Sequence, residues 1–304
     1  MNVALLLPGQ GSQHVGMGHD LYHAEPASRA VFDLADQKLG FALSALCFTG
    51  PEDDLTDTLN QQPALFVTSI ATWRAAEMKG WSSPAFVAGH SLGEFSALVI
   101  AGSMDFSDGL LLVRRRAELM KAAGERDPGA MAAILALDVS QVEDVCNRAQ
   151  DETSKPVQVA NDNCPGQIVI SGDRIALERA TTLAIEAGAR KVVILPITIA
   201  AHSALMASSV ADFAKAVDST VFTDPVIPII GNVSGRPLAS PEAIRTELKA
   251  QLTAPVQWTR SMRYLLNEGV DTFIETGPGE VLLGLIKRID RKVNRVKLME
   301  SIIT

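Results

Sequence analysis

The 304-residue chain is long enough to bury a large core and has room for about two domains. With 47% hydrophobic and 20% charged residues and no low-complexity tract, it reads as ordered throughout, which excludes a disordered or fibrous protein. A formal net charge of -8 argues against nucleic acid as a partner, because phosphates repel an acidic surface.

Val3 to Leu7 is a continuous apolar run, as expected of a buried parallel strand, and Pro8-Gly9-Gln10-Gly11-Ser12 forces a turn after it. The run is too short for a signal peptide or a membrane span, so a soluble, cytoplasmic protein is expected. Helical spacing covers 27–40 and 62–79, the second with Pro63 placed in its first turn. Phe86 to Ala88 reads as a second buried strand, followed by Gly89-His90-Ser91-Leu92-Gly93 and a helix from Leu92 to Ala101.

The pattern changes between 128 and 197. Strands are predicted at Met131 to Leu137, Val157 to Asn161, Gln167 to Ser171 and Lys191 to Leu195, with helices at Val139 to Gln150 and 173–187. The order β-α-β-β-α-β is that of a ferredoxin-like unit, so 128–197 is predicted to be a small domain inserted between two parts, 1–127 and 198–304, of a larger α/β domain. In the second part, Ile227 to Asn232 and Thr272 to Glu275 read as core strands, with helices near 241–252, 257–267 and 280–290. Gly277-Pro278-Gly279 falls between a strand and a helix, among the loops where open α/β sheets bind ligands. Lys287, Arg288, Arg291, Lys292, Arg295 and Lys297 crowd the tail, as either a solvated helix face or a patch for an anionic partner. Cys47, Cys146 and Cys164 are widely spaced and form no CxxC pair, so neither a disulfide framework nor a zinc site is expected.

Gly89-His90-Ser91-Leu92-Gly93 fits the GxSxG elbow, where a sharp strand-to-helix turn exposes a serine and the helix N-terminus supplies N–H groups for an oxyanion. Serine needs a base. His14, His19 and His23 lie in polar loop or surface contexts, and His90 adjoins the serine on a turn that points neighbours apart. His202 remains, after the small and apolar stretch Thr198-Ile199-Ala200-Ala201, as a base lining a cleft or as a surface histidine. Arg116 is out of place: Leu112, Val113, Leu119 and Met120, at i-4, i-3, i+3 and i+4, put it in the middle of an apolar helix face. A cation there requires a carboxylate, from an internal acid or from an acidic ligand. A ligand carboxylate would make Arg116 a selector for dicarboxylic acyl groups.

These residues fall in seven motifs spread over nearly the whole chain: Pro8-Gly9-Gln10-Gly11-Ser12-Gln13, Gly89-His90-Ser91-Leu92-Gly93-Glu94, Arg116 in Arg-Ala-Glu-Leu-Met, Asn161-Asp162-Asn163-Cys164-Pro165-Gly166-Gln167, His202-Ser203-Ala204-Leu205-Met206, Pro255-Val256-Gln257-Trp258 and Glu275-Thr276-Gly277-Pro278-Gly279. The chain thereby resembles the malonyl-CoA:acyl-carrier-protein transacylases of fatty acid synthesis. The resemblance implies an α/β-hydrolase-like large domain carrying the ferredoxin-like insert. It also implies Ser91 as nucleophile, His202 as base, the backbone N–H groups of Gln10 and Leu92 as oxyanion hole, and Arg116 as the malonyl anchor. Gln251 would orient the imidazole through its backbone carbonyl, and His90, Asn161 and Asn163 would lie at the substrate. The partners implied are malonyl-CoA and an acidic, phosphopantetheinylated acyl carrier protein, both substrates, with no metal, no resident cofactor and a monomeric enzyme. Cys164, where relatives often have serine, is expected to have no catalytic role. The stretch Ile199-Ala200-Ala201 differs from the tetrapeptides of polyketide acyltransferases and leaves methylmalonyl open as a second acyl group. The same residues would also serve in a polyketide assembly line or in a malonate decarboxylase. A proofreading acyl hydrolase would have no use for Arg116, and a silent docking subunit none for an intact Ser91 and His202.

Overall fold

The apolar run near the N-terminus ends up between two parallel neighbours in the middle of a sheet. The computed structural model describes residues 2–303. Its strands are β1 (Val3–Leu7), β2 (Phe86–Gly89), β3 (Gly129–Leu135), β4 (Val157–Cys164), β5 (Gln167–Asp173), β6 (Lys191–Ile194), β7 (Ile229–Ile230), β8 (Pro237–Leu238), β9 (Thr272–Glu275) and β10 (Asn294–Lys297). Six of them form the order β10-β9-β1-β2-β7-β8, parallel throughout except for β8, which pairs antiparallel with β7 at one edge. Along β1 the side chains alternate between two cores: Leu5 and Leu7 join one cluster, Ala4 and Leu6 the other. Burial on both faces explains why the strand reads as unbroken hydrophobicity rather than alternation.

The remaining four strands form an antiparallel sheet, β4-β5-β3-β6, covered by the helices Val139–Thr153 and Arg174–Glu186 over a core of their own. This is the ferredoxin-like arrangement. Strand β4 meets the large sheet's side of the molecule through a parallel bridge from Asn161 to Val256.

Strands β3, β4 and β5 shift or lengthen by two or three residues against the sequence reading, and three other elements differ in kind or cause. The helix Thr58–Met78 starts four residues before the predicted 62, capped by the Asp57 side chain, so Pro63 is its sixth residue and lies beyond the first turn. A proline there leaves the carbonyl four residues back without its usual donor. Arg114 supplies one, its Nη1 donating to Leu59 O at 2.8 Å. The predicted strand at Ile227 to Asn232 shrinks to two residues because the backbone of Asn232 turns away, donating its N–H to Glu94 and accepting from Gln257 N–H. The basic tail is not one helix face: Arg295 and Lys297 lie on β10, which has no apolar alternation to betray it and forms an edge. Charged residues on an edge strand oppose pairing with other chains. Lys297 pairs with Glu280 and Glu300, and Arg288 donates to Gly166 O and Gln167 Oε1, while Lys287, Arg291, Lys292 and Arg295 are exposed.

The three cysteines are free and buried, and among the described residues no helix is long and apolar enough to cross a membrane. Replacing Arg114 with methionine keeps the stem and removes the donor to Leu59. The change should cost about 1–3 kcal/mol, seen as a lower urea midpoint with an unchanged slope.

Candidate active site

Ser91 sits on the turn between β2 and the elbow helix, Gly93–Ile100, with φ at +50°. A non-glycine residue in that region is strained and persists only where its surroundings dictate it. Here they do. A Cβ on Gly89 would come within 1.9 Å of Gly93, and one on Gly93 within 2.0 Å of Leu7 O, so the turn closes only with glycine at both positions. Asn232 holds the apex: its Oδ1 accepts from Ser91 N–H at 2.7 Å and its Nδ2 donates to Gly89 O at 2.7 Å.

His202 lies 2.8 Å from Ser91 Oγ through Nε2 and is itself at φ +57°. Its Nδ1 faces two backbone carbonyls, Gln251 O at 2.8 Å and Ala254 O at 3.1 Å. Only an Nδ1–H tautomer fits two acceptors, which leaves the Nε2 lone pair for the serine proton. Gln158, on β4, clamps this loop by donating from Nε2 to both His202 O and Thr253 O and accepting from Ala204 N–H. Burial, and after it the cation of Arg116, pulls the His202 pKa down to about 3. The imidazole is therefore neutral, the form a base requires.

Arg116 comes from the helix Phe106–Arg126, is 1% exposed, and lies with its guanidinium 5.5 Å over the Phe95 ring. Nη1 donates to Gln62 Oε1 at 2.7 Å, and Nη2 donates to Gln251 Oε1 and to Ser91 Oγ, each at 3.0 Å. Nε has no partner. Among the described residues no carboxylate lies within ion-pair distance, and desolvation lowers the arginine pKa to about 10. Of the two sources of a carboxylate left open by the sequence, the internal one is absent at contact distance.

Ser91, His202, Arg116, Gln10, Leu92, His90, Asn161 and Asn163 all line one cavity of about 300 Å³, whose remaining wall is largely apolar, including Met131, Val169, Leu195 and Leu285. Among the described residues, neither Gln10 N–H nor Leu92 N–H has an internal hydrogen-bond acceptor, so both are free for a ligand oxygen. His90 Nε2 is bonded to Asn163 Oδ1 at 2.8 Å, away from Ser91 Oγ. Gln251 lies behind Arg116 and is fully buried, so it reaches the cavity only through its neighbours. Cys164 is buried at the end of β4, where desolvation raises its thiol pKa. Gln62, Glu94, Gln158 and Asn232 were missed by the sequence reading. Glu94 carried a signal, being a carboxylate in the apolar helix Gly93–Ile100, the same anomaly that exposed Arg116.

A hydroxyl with a neutral imidazole, two free N–H groups and a strained elbow on an α/β sheet can serve acyl transfer to and from a serine, chemistry that suits an acyltransferase. The model of the acyl transferase domain matches residues 5–302. The chain is 43% identical to the malonyl CoA-acyl carrier protein transacylase of Bacillus subtilis, over 98% of its length and 93% of the relative's. It is 41% identical to that of Escherichia coli, over 94% and 92%. An acyl carrier protein S-malonyltransferase from Vibrio cholerae superposes with a TM-score of 0.94 at 41% identity, covering 97% of this chain and 96% of that one. A malonyl-transacylase in complex with a type II PKS acyl-carrier protein does so at 0.96 and 38%, covering 100% and 98%. The chain belongs to the malonyl-CoA–acyl-carrier-protein transacylase family.

With its pKa pulled below the usual 6.5, His202 should stay deprotonated well into the acid range. Labelling of Ser91 by a fluorophosphonate should be flat from about pH 8 to about pH 5. Arg116→Gln, by removing the neighbouring cation, should shift the acid limb upward. A wild-type limb centred at an ordinary histidine pKa would contradict this geometry.

Proposed function

We propose that the enzyme moves malonyl from malonyl-CoA to the phosphopantetheine thiol of holo acyl carrier protein through a malonyl ester on Ser91, supplying extender units for fatty acid synthesis. The observation that carries this reading is the buried Arg116 guanidinium, whose hydrogen-bond partners among the described residues are all neutral and include Ser91 Oγ. A malonyl carboxylate would give it the missing counter-charge; an acetyl group would leave it unpaired.

In the first half-reaction Ser91 Oγ attacks the thioester carbonyl while His202 Nε2 takes the hydroxyl proton. The Gln10 and Leu92 N–H groups receive the oxyanion. Collapse breaks the C–S bond, and His202 returns its proton to the departing CoA sulfur. In the second half-reaction the carrier thiol gives its proton to His202 and attacks the ester, and Ser91 recovers the proton as it leaves. The apolar cavity wall favours the pantetheine stem over water. No metal or resident cofactor enters this scheme, and we place the enzyme in the cytoplasm as a monomer.

Intact mass after mixing with malonyl-CoA, acetyl-CoA or methylmalonyl-CoA tests the reading directly. The malonyl adduct should form on wild type, persist until carrier protein is added, and be lost in Ser91→Ala. In Arg116→Ala the malonyl-to-acetyl preference should fall by on the order of a hundredfold or more. Rapid release of free malonate in place of a stable adduct would instead make the protein a hydrolase.

For the acidic carrier protein we propose the exposed cations Lys287, Arg291, Lys292 and Arg295 as the docking patch. Lys121 is left out of it, being paired with Asp57 at 2.6 Å. Charge reversal at Arg291 and Lys292 should raise the KM for carrier protein at low salt and leave the KM for malonyl-CoA unchanged. An unaltered transfer rate would exclude the patch.

A further inference from the structure

Glu94 is fully buried one turn below the nucleophile, in the elbow helix. Its Oε1 accepts from Asn232 N–H at 3.0 Å, and its Oε2 accepts from Gln251 Nε2. Both neighbours are donors, and among the described residues neither oxygen meets a lysine or arginine. The Gln251 amide continues the chain: Nε2 also donates to Ser91 O at 3.1 Å, and Oε1 accepts from Arg116 Nη2 at 3.0 Å. The same residue's backbone carbonyl accepts from His202 Nδ1. Burial and the nearby Glu247 raise the Glu94 pKa well above the ordinary range, a cost opposed by the Asn232 backbone N–H, the Gln251 amide and the Asn232 side chain.

We propose that Glu94 is a positioning residue for acyl-group selection: it fixes the polarity of the Gln251 amide so that an oxygen, rather than an NH2 group, holds the Arg116 guanidinium toward the acyl pocket. The argument rests on donor and acceptor counting. A carboxylate accepts from both the Asn232 N–H and the Gln251 amide. An amide at the same position offers one acceptor and one donor, so one contact must become donor against donor. The Asn232 N–H belongs to the main chain and cannot turn, so the Gln251 amide gives way and presents its NH2 to the cation. Arg116 would then lose one of its two amide acceptors and Ser91 O the Gln251 donor, while His202 keeps the Gln251 backbone carbonyl. This assignment rests on the malonyl-transfer reading above.

Glu94→Gln, nearly isosteric, is the test. The measurements are acylation of Ser91 by malonyl-CoA and acetyl-CoA, read by rapid-quench intact mass, and fluorophosphonate labelling of the same serine. The variant should lose malonyl-to-acetyl preference by about tenfold or more, with a smaller fall in labelling. Equal falls in malonyl acylation and labelling would reduce Glu94 to general support of the elbow, and an unchanged preference would overturn the relay. If Glu94→Gln does not fold, Gln251→Met decides, because it deletes the amide and keeps the carbonyl on His202; retained preference there overturns the proposal. Failure of wild type to take malonyl at all would instead sink the proposed function.

Discussion

A guanidinium buried among neutral oxygens is the constraint around which this site is arranged. Removing a charged group from water costs several kcal/mol even after the surroundings relax. The usual remedy is a carboxylate in contact. Arg116 has instead two glutamine oxygens, a serine hydroxyl and the face of Phe95. These hold the cation in a fixed orientation without neutralising it. A direct internal carboxylate would have stabilised the fold more and consumed the attraction that an anionic ligand could use. Glu94 meets that conflict at one remove, separated from the cation by the length of the Gln251 amide.

The second constraint is backbone strain shared by Ser91 and His202. Ser91 and His202 each have positive φ, a state that isolated serine and histidine seldom occupy. Each is held from a different sheet. Asn232, just beyond β7, fixes the serine turn, and Gln158, on β4, fixes the histidine loop. The site therefore depends on the two sheets being joined, and the Asn161 to Val256 bridge is where β4 is stitched to the segment that carries Gln251 and Ala254. A protein with either sheet alone would retain the residues and lose the geometry.

Much of this could be read from the chain because strong local rules agreed. Val3–Leu7 and Thr272–Glu275 were placed to the residue, since parallel strands buried on both faces have abrupt apolar limits. Arg116 stood out because helical periodicity predicts its burial and chemistry forbids it. Elements whose limits come from tertiary contacts were harder. Pro63 misdated the start of its helix because nothing local announces that Arg114, 51 residues later, will satisfy Leu59. Strand β10 was hidden because an edge strand rich in charge resembles a solvated helix face. Asn232 and Gln158 were invisible for a related reason: a polar residue beside a strand has many possible partners, and only the fold selects one.

The imidazole's environment links these constraints. In a Ser-His-Asp arrangement a carboxylate stabilises the imidazolium that forms when serine gives up its proton. His202 has two carbonyl dipoles in that position, which favour the charged ring, but burial and then the cation of Arg116 outweigh them, so the free enzyme disfavours it. Arg116 compensates on the other partner, because its N–H at Ser91 Oγ stabilises negative charge developing there. Under the proposed reaction a malonyl carboxylate on Arg116 would cancel the field that opposes imidazolium formation, raising the basicity of His202 when the acyl group is seated. An acetyl thioester would bring no such charge, and it would meet both an unpaired cation and a weaker base. Under that reaction selection and proton transfer depend on one charge, that of the guanidinium 3.0 Å from Ser91 Oγ.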